Sequence, residues 1–239
     1  MIQLVLFDID GTLIRSGGAG VRAFAETFAH VFNLPKATET VRFCGRTDVS
    51  LVRECFVKCG LPPSKENFAR FFDAYPVFLE RNLKALPGAV CEGISTFLHA
   101  LSALQNRPVL GLLTGNIRRG AELKLTHYRL WDRFETGAFA DDHEDRNCIA
   151  AAAKRRGEER LGRGLRGEEI VVIGDTPHDI ACGQSIGAKV LAVGTGNFTA
   201  VQLREFTPDW AVDHLGQLTV TEVLGHRNGS AKITASKAA

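Results

Sequence analysis

The chain has 239 residues, 45% of them hydrophobic and 23% charged, and its 29 basic and 27 acidic side chains leave a formal charge of +2. That composition is ordinary for a globular protein of one large or two modest domains, and so small a charge gives no electrostatic case for nucleic acid. No apolar run reaches membrane-spanning length, and the start lacks the basic region, apolar stretch and small-residue cleavage site of a secretory signal, so a soluble cytoplasmic protein with no membrane partner is expected.

The first element is the run IQLVLF (2–7), nearly continuous in apolar residues as a strand covered on both faces would be. Next come about a hundred residues without a convincing buried strand. AGVRAFAETFAHVFNL (19–34), DVSLVRECFVKCGL (48–61) and ENFARFFDAYPVFLERNLKAL (66–86) read as amphipathic helices, so 16–86 forms a helical insertion. Pro87-Gly88 marks the return to the main domain, and a helix is expected over 89–105. PVLGLL (108–113), IVVIG (170–174), AKVLAV (188–193) and, more weakly, DWAV (209–212) supply further strands, with ACGQSIG (181–187) as one crossover helix. This alternation predicts an α/β fold: a doubly wound, mainly parallel sheet over 1–15 and 87–225, with the helical unit inserted after the first strand. KRRGEERLGRGLRGEE (154–169) mixes six basic with four acidic residues, which suits a solvated helix end and loop. Residues 226–239 lack apolar periodicity and read as a loose tail. The six cysteines are scattered without paired metal spacing and read mostly as small buried hydrophobes in a reducing compartment.

In open α/β sheets ligands bind beyond the carboxyl ends of the strands. Three strand ends here carry polar groups: Asp8-Ile9-Asp10-Gly11-Thr12, Thr114-Gly115-Asn116, and Asp175 with Asp179 beyond a helix start at Pro177. Carboxylates meeting in one place need a cation. Oxygen ligands without a His/Cys set favour a hard ion, and Mg²⁺ suits a site that keeps waters and shares a phosphate. One carboxylate of the first pair could then attack phosphorus. Thr114 and the N–H groups after it, at a strand-to-helix turn, suit a phosphate.

These residues resemble the haloacid dehalogenase superfamily, in its phosphatase branch with a helical cap. FDIDGTL matches the opening motif, LLTGN the second and IGDTPHDI the fourth, and the insertion lies where such proteins carry a small cap. The resemblance spans residues 2 to about 224. It implies that Asp8 is the nucleophile and a Mg²⁺ ligand. Asp10 would be the acid and then the base, binding the metal through its backbone carbonyl. Thr114 would hydrogen-bond the phosphoryl oxygens, Gly11, Gly115 and Asn116 would shape the substrate loop, Asp175 would be the other metal ligand, and Asp179 would orient a metal water or the basic residue. The third motif departs from the family: its usual Lys is replaced in FADDHEDRNCIAAAAKRR by Arg146, with Lys154 as the rival cation. Arg46 and Thr47, in the cap segment GRTD (45–48), would reach the substrate.

Blander readings stand beside these. Asp179 suits the first turn of a helix, Arg146 could be a surface salt-bridge residue, and Asp141, Asp142, Glu144 and Asp145 are acids placed before a helix. His143 and His178 read as solvent-facing, the latter close to the site. The expected activity is Mg²⁺-dependent hydrolysis of a small phosphomonoester, similar to phosphoglycolate phosphatases, with a small phosphorylated metabolite as partner. A phosphomutase keeping both aspartates is the alternative. A dehalogenase or phosphonate hydrolase is disfavoured by the acid at position 10. A binding protein on an inactive hydrolase fold would have lost Asp8, Asp10 or Asp175. No sequence feature specifies an oligomeric state.

Overall fold

The computed structural model describes residues 1–225; the tail expected over 226–239 lies outside them. In chain order the elements are β1 (Leu4–Phe7), β2 (Ile14–Arg15), α1 (Ala19–Phe32), α2 (Asp48–Lys58), α3 (Lys65–Ala85), β3 (Ala89–Val90), α4 (Ile94–Ser102), β4 (Val109–Leu113) and α5 (Arg118–His127). They continue with β5 (Thr136–Ala138), α6 (Arg146–Leu161), β6 (Ile170–Gly174), α7 (Pro177–Ser185), β7 (Lys189–Val193), α8 (Ala200–Arg204), β8 (Trp210–Val212) and α9 (Val220–Leu224).

Six strands form one parallel sheet in the order β5-β4-β1-β6-β7-β8, with helices on both faces. Every residue of β1, β4 and β6 is buried, which is why these strands read as unbroken apolar runs. Alternate residues of β1 serve two cores. Val5 and Phe7 pack with Ile94, Phe97 and Leu98 of α4, while Leu4 and Leu6 pack with Ile149, Ala150 and Ala153 of α6.

The helical insertion has its own core. Phe24 and Phe28 of α1, Phe56 of α2, and Phe71 and Tyr75 of α3 are fully buried against one another, with centroid separations of 4.8 Å for Phe28–Phe71 and 4.9 Å for Phe24–Tyr75. This unit leaves and re-enters the main body through a short antiparallel ribbon that pairs Ile14 with Val90 and Arg15 with Ala89.

Two details differ from the expected elements. The helix expected over 89–105 begins at Ile94, because Ala89 and Val90 pair with β2 and Gly93 turns the chain at φ 83°. β5 passes unnoticed in the sequence: three residues with two small side chains, Thr136-Gly137-Ala138, carry no apolar signature. α7 starts at Pro177, the helix start that the sequence marks, where Thr176 and Asp179 form a reciprocal capping box.

Because Phe28 is fully buried among aromatic rings, Phe28→Ala should destabilise the protein by about 3–5 kcal/mol. Phe206→Ala, at a side chain 44% exposed, should stay within about 0.5 kcal/mol. Urea titration followed by circular dichroism measures both. A Phe28→Ala cost no larger than that of Phe206→Ala would contradict the packing.

Candidate active site

The strand register builds the site. β1 ends at Phe7, which lies opposite Leu112 of β4 and Ile173 of β6. The first residue past each strand end is then Asp8, Thr114 and Asp175. β1 is central, and the chain crosses from the β4 side to the β6 side of it, so these ends border the crevice where a doubly wound sheet takes its ligand.

Asp8, Asp175 and Asp179 each offer a carboxylate oxygen within 4.8 Å of the others, and all three are buried. The guanidinium of Arg146, first residue of α6, meets this group: Nη2 lies 3.4 Å from Asp8 Oδ1 and donates to Asp179 Oδ1 as well. Asp179 Oδ2 accepts from Thr176 N–H at 3.0 Å and the Thr176 hydroxyl at 2.6 Å, so both its oxygens are taken. Asp175 accepts only the Thr12 hydroxyl, at 3.0 Å, among the described residues. Gly11 at φ 86° and Gly196 press on Asp175 so closely that a Cβ at either would collide with its carboxylate.

Three carboxylates against one guanidinium leave about two negative charges in a desolvated place. Their proton affinities register the imbalance. Burial first, then the charge of Asp179, pushes Asp8 up to about 7 despite Arg146. Burial, with Asp179 and Asp8 adding to it, holds Asp175 well above the usual carboxylate range. A divalent cation with hard oxygen preference fits this donor set, and Asp8 and Asp175 have the oxygens to spare for it.

Asp10 stands apart, its side chain 41% exposed toward the cavity. Its Oδ2 accepts from Asn116 Nδ2 at 2.8 Å and from Lys124 Nζ at 2.6 Å. Thr114 is fully buried behind the cavity wall; its Oγ1 accepts from Asn116 N–H at 3.3 Å and Asn116 Nδ2 at 2.9 Å. Above these groups lies a cavity of about 540 Å³. Asp8, Asp10, Gly11, Gly115, Asn116, Arg146 and Asp175 form its floor, and Val21, Phe24, Phe43, Cys44 and Arg46 come to it from the helical unit.

Of the residues expected from the sequence to meet substrate, two are off the cavity lining: Thr114, buried behind it, and Thr47. Thr47 is buried, N-caps α2 and donates its hydroxyl to the Glu144 carbonyl at 2.9 Å, so it ties the helical unit to the main body. Arg46 does line the cavity, but its guanidinium is held by Glu54 and by Ser50 O. Lys154 lies two turns along α6 from Arg146 and outside the cavity wall. The four acids before α6 serve separately. Asp145 caps α6, Asp141 accepts from Arg118 N–H of α5, Asp142 pairs with Arg156, and Glu144 with Arg53. His143 and His178 are exposed, and a Cβ on Gly45 would strike the His178 ring.

Two residues escaped the sequence reading. Lys124 is 4% exposed on the face of α5 that also buries Ala121 and Leu125, and a lysine on an apolar stripe was the available signal. Asp48 is the first residue of α2, where an acid is commonplace, yet its Oδ2 accepts from Ile117 N–H at 2.8 Å across the seam, beside the Arg118 N–H that Asp141 takes at the start of α5. Burial raises Asp48 to about 7, with Lys124 pulling the other way.

A model of the haloacid dehalogenase-like hydrolase family matches residues 5–193. The chain belongs to that family. Pyrophosphatase PpaX of Bacillus mycoides is 26% identical over 95% of this chain and 99% of its own length. Two solved structures share the fold. CbbY from Rhodobacter sphaeroides, in complex with phosphate, superposes with a TM-score of 0.69 at 18% identity, over 91% of this chain and 96% of that one. A predicted phosphoglycolate phosphatase from Haemophilus somnus superposes at 0.68 and 19%, over 90% and 96%. This haloacid dehalogenase-like hydrolase therefore has a parallel α/β core, an inserted helical cap and a carboxylate cluster able to hold a divalent cation. Among the described residues, no helix is long and apolar enough to cross a membrane.

The raised carboxyls fix a sign. Between about pH 4, where an unfolded carboxyl ionises, and about 7, the folded hydrolase holds protons at Asp8 and Asp48 that the unfolded chain has released, and Asp175 is shifted in the same direction. Stability from these groups is complete below that window and is lost as pH rises through it. The metal-free protein should therefore melt lower at pH 8 than at pH 5. Added Mg²⁺ should raise the melting temperature more at pH 8, where protons no longer compete for the oxygens. Thermal melts with and without chelator test this, and an equal Mg²⁺ effect at both pH values would contradict it.

Proposed function

We propose that this hydrolase cleaves a small phosphomonoester in a Mg²⁺-dependent reaction through an aspartyl-phosphate on Asp8. The observation that carries the reading is the division of labour between the two aspartates of one turn. Asp8 is buried beside the Arg146 guanidinium in the carboxylate cluster, while Asp10 reaches the cavity wall with Oδ1 free of hydrogen bonds among the described residues. In this reading residues 1–15 and 87–225 are the catalytic core and 16–86 the cap.

Asp8, Asp175 and the Asp10 backbone carbonyl would hold Mg²⁺, which when bound supplies charge for the transferring oxygens. Asp8 attacks phosphorus, forming the Asp8–phosphorus bond as the bond to the leaving oxygen breaks. Asp10 Oδ1 gives that oxygen a proton and later takes one from the water that hydrolyses the aspartyl-phosphate. Arg146 meets phosphoryl oxygens with a planar fork of donors, and Asp179 holds that fork by one oxygen while Thr176 fixes the other. Thr114 keeps a hydroxyl proton for a phosphoryl oxygen, since Oγ1 is only an acceptor toward Asn116. Gly11, Gly115 and Asn116 shape the loop around the transferring group. Cap side chains Phe24, Phe43 and Arg46 close the cavity, exclude bulk water and set substrate size. A pyrophosphatase among the relatives and a phosphate-bound structural neighbour agree with phosphoryl chemistry.

Asp8→Asn should abolish turnover and any phosphoenzyme. Asp10→Asn should lose about 10²–10⁴-fold on an alkyl phosphate, yet much less on nitrophenyl phosphate, whose leaving group needs little proton help. Release of inorganic phosphate, rather than an isomerised sugar phosphate, separates hydrolysis from mutase action, and covalent label on a side chain other than Asp8 would refute the nucleophile.

Arg146→Ala should cost kcat/KM about 10²–10³-fold or more, the scale of a lost transition-state donor. Lys154→Ala should cost little, because that residue lies about 12 Å further along the helix. Arg146→Lys should rescue in part, by charge without the second hydrogen bond. Steady-state kinetics of the three variants decide which cation acts, and a larger loss at Lys154 would overturn the assignment.

A further inference from the structure

The reading above gives Asp10 a proton-handling role but leaves open what aims it. A half-exposed carboxylate on a loop has several rotamers of similar energy, and a proton donor is useful only when its oxygen is held near the leaving group. Here the carboxylate is not loose. Lys124 Nζ lies 2.6 Å from Asp10 Oδ2 and 2.6 Å from Asn116 Oδ1, and Asn116 Nδ2 closes the triangle on the same Asp10 oxygen at 2.8 Å. Both donors take Oδ2, which leaves Oδ1 for the cavity.

The fold goes to some length to place that ammonium. Lys124 belongs to α5, with a side chain only 5% exposed, on a stripe whose other members are Gly120, Ala121 and Leu125. Burying a lysine costs several kcal/mol unless its charge is met. Gly20 of α1, in the cap, packs beside it: a Cβ there would stand in van der Waals contact with Nζ, at 3.4 Å. An exposed lysine–aspartate pair would contribute little, but here one partner is desolvated and its two acceptors are fixed by the sheet.

We infer that Lys124 is the positioning residue for Asp10: with Asn116 it pins Oδ2 and so presents Oδ1 to the leaving oxygen. Lys124 acts through Asp10, whose role as acid rests on the proposed function above. The assignment explains why a lysine occupies a buried helix position that periodicity gives to an apolar side chain.

The test is a double-mutant cycle read with two substrates. Lys124→Met keeps the length and buried shape of the side chain but removes both hydrogen bonds. It should lower kcat for an alkyl phosphate about tenfold or more with KM little changed, while nitrophenyl phosphate turnover moves less than about threefold. In an Asp10→Asn background the same substitution should have almost no further effect, because the group it aims is gone. Lys124→Ala with added propylammonium gives a second measurement should the Met variant fold poorly, and the amine should restore alkyl phosphate turnover selectively. Equal losses on both substrates, or full additivity with Asp10→Asn, would show a merely structural lysine and overturn the inference. If Asp10→Asn itself lacks leaving-group dependence, the proposed acid role fails instead, and the two failures are thereby distinguished.

Discussion

The organising constraint of this molecule is the desolvation of carboxylates at the ends of two neighbouring strands. Asp8 and Asp175 follow β1 and β6, with Asp179 one helical turn further, and a single buried guanidinium pairs with Asp8 and Asp179. Charge in such surroundings is tolerated only when it is paired, protonated or bound to metal. Much else follows from that excess. Gly11 and Gly196 are glycines because the carboxylate of Asp175 occupies the space their side chains would need. Thr12 and Thr176 spend their hydroxyls on neighbouring carboxylates. Arg146 opens α6, so its side chain leaves the first turn of a helix anchored on the sheet through Ile149, Ala150 and Ala153.

A second polar group, at Asp10, is built on different terms. Lys124 and Asn116 hold one oxygen, while the other faces a cavity shared with the cap. The two aspartates of one tight turn thus occupy unlike electrostatic settings. One is buried among anions, and the other sits beside a cation at the edge of solvent. That contrast sets chemically identical side chains in unequal surroundings.

The cap is tied to the core at the loops after β4 and before α6. Asp48 N–H donates to Gly115 O at 2.7 Å, Asp48 Oδ2 accepts from Ile117 N–H, and the Thr47 hydroxyl reaches Glu144 O. A Cβ on Gly115 would collide with Arg46 O, so the glycine of the second motif permits the cap loop to come this close. The cap's aromatic core makes it a stiff body, and its seam meets the loops after β4 and before α6 directly.

The sequence by itself determined the strand run LVLF, the helical character of the insertion and the polar residues at three strand ends. Each rests on local information: apolar continuity, 3.6-residue periodicity, and turn residues at fixed offsets. β5 was illegible because its small residues pack by position in the sheet and not by their own hydrophobicity. Thr47 could not be told from a cavity residue, since a hydroxyl at a helix start has the same sequence signature whether it faces substrate or a carbonyl 97 positions away. Arg146 beside Lys154, Lys124 against Asp10 and Asp48 at the start of α5 were decided only by tertiary structure. Whether a charge on a helix faces solvent or an anion depends on what lies across from it, and these partners stand 138, 114 and 69 positions apart in the chain.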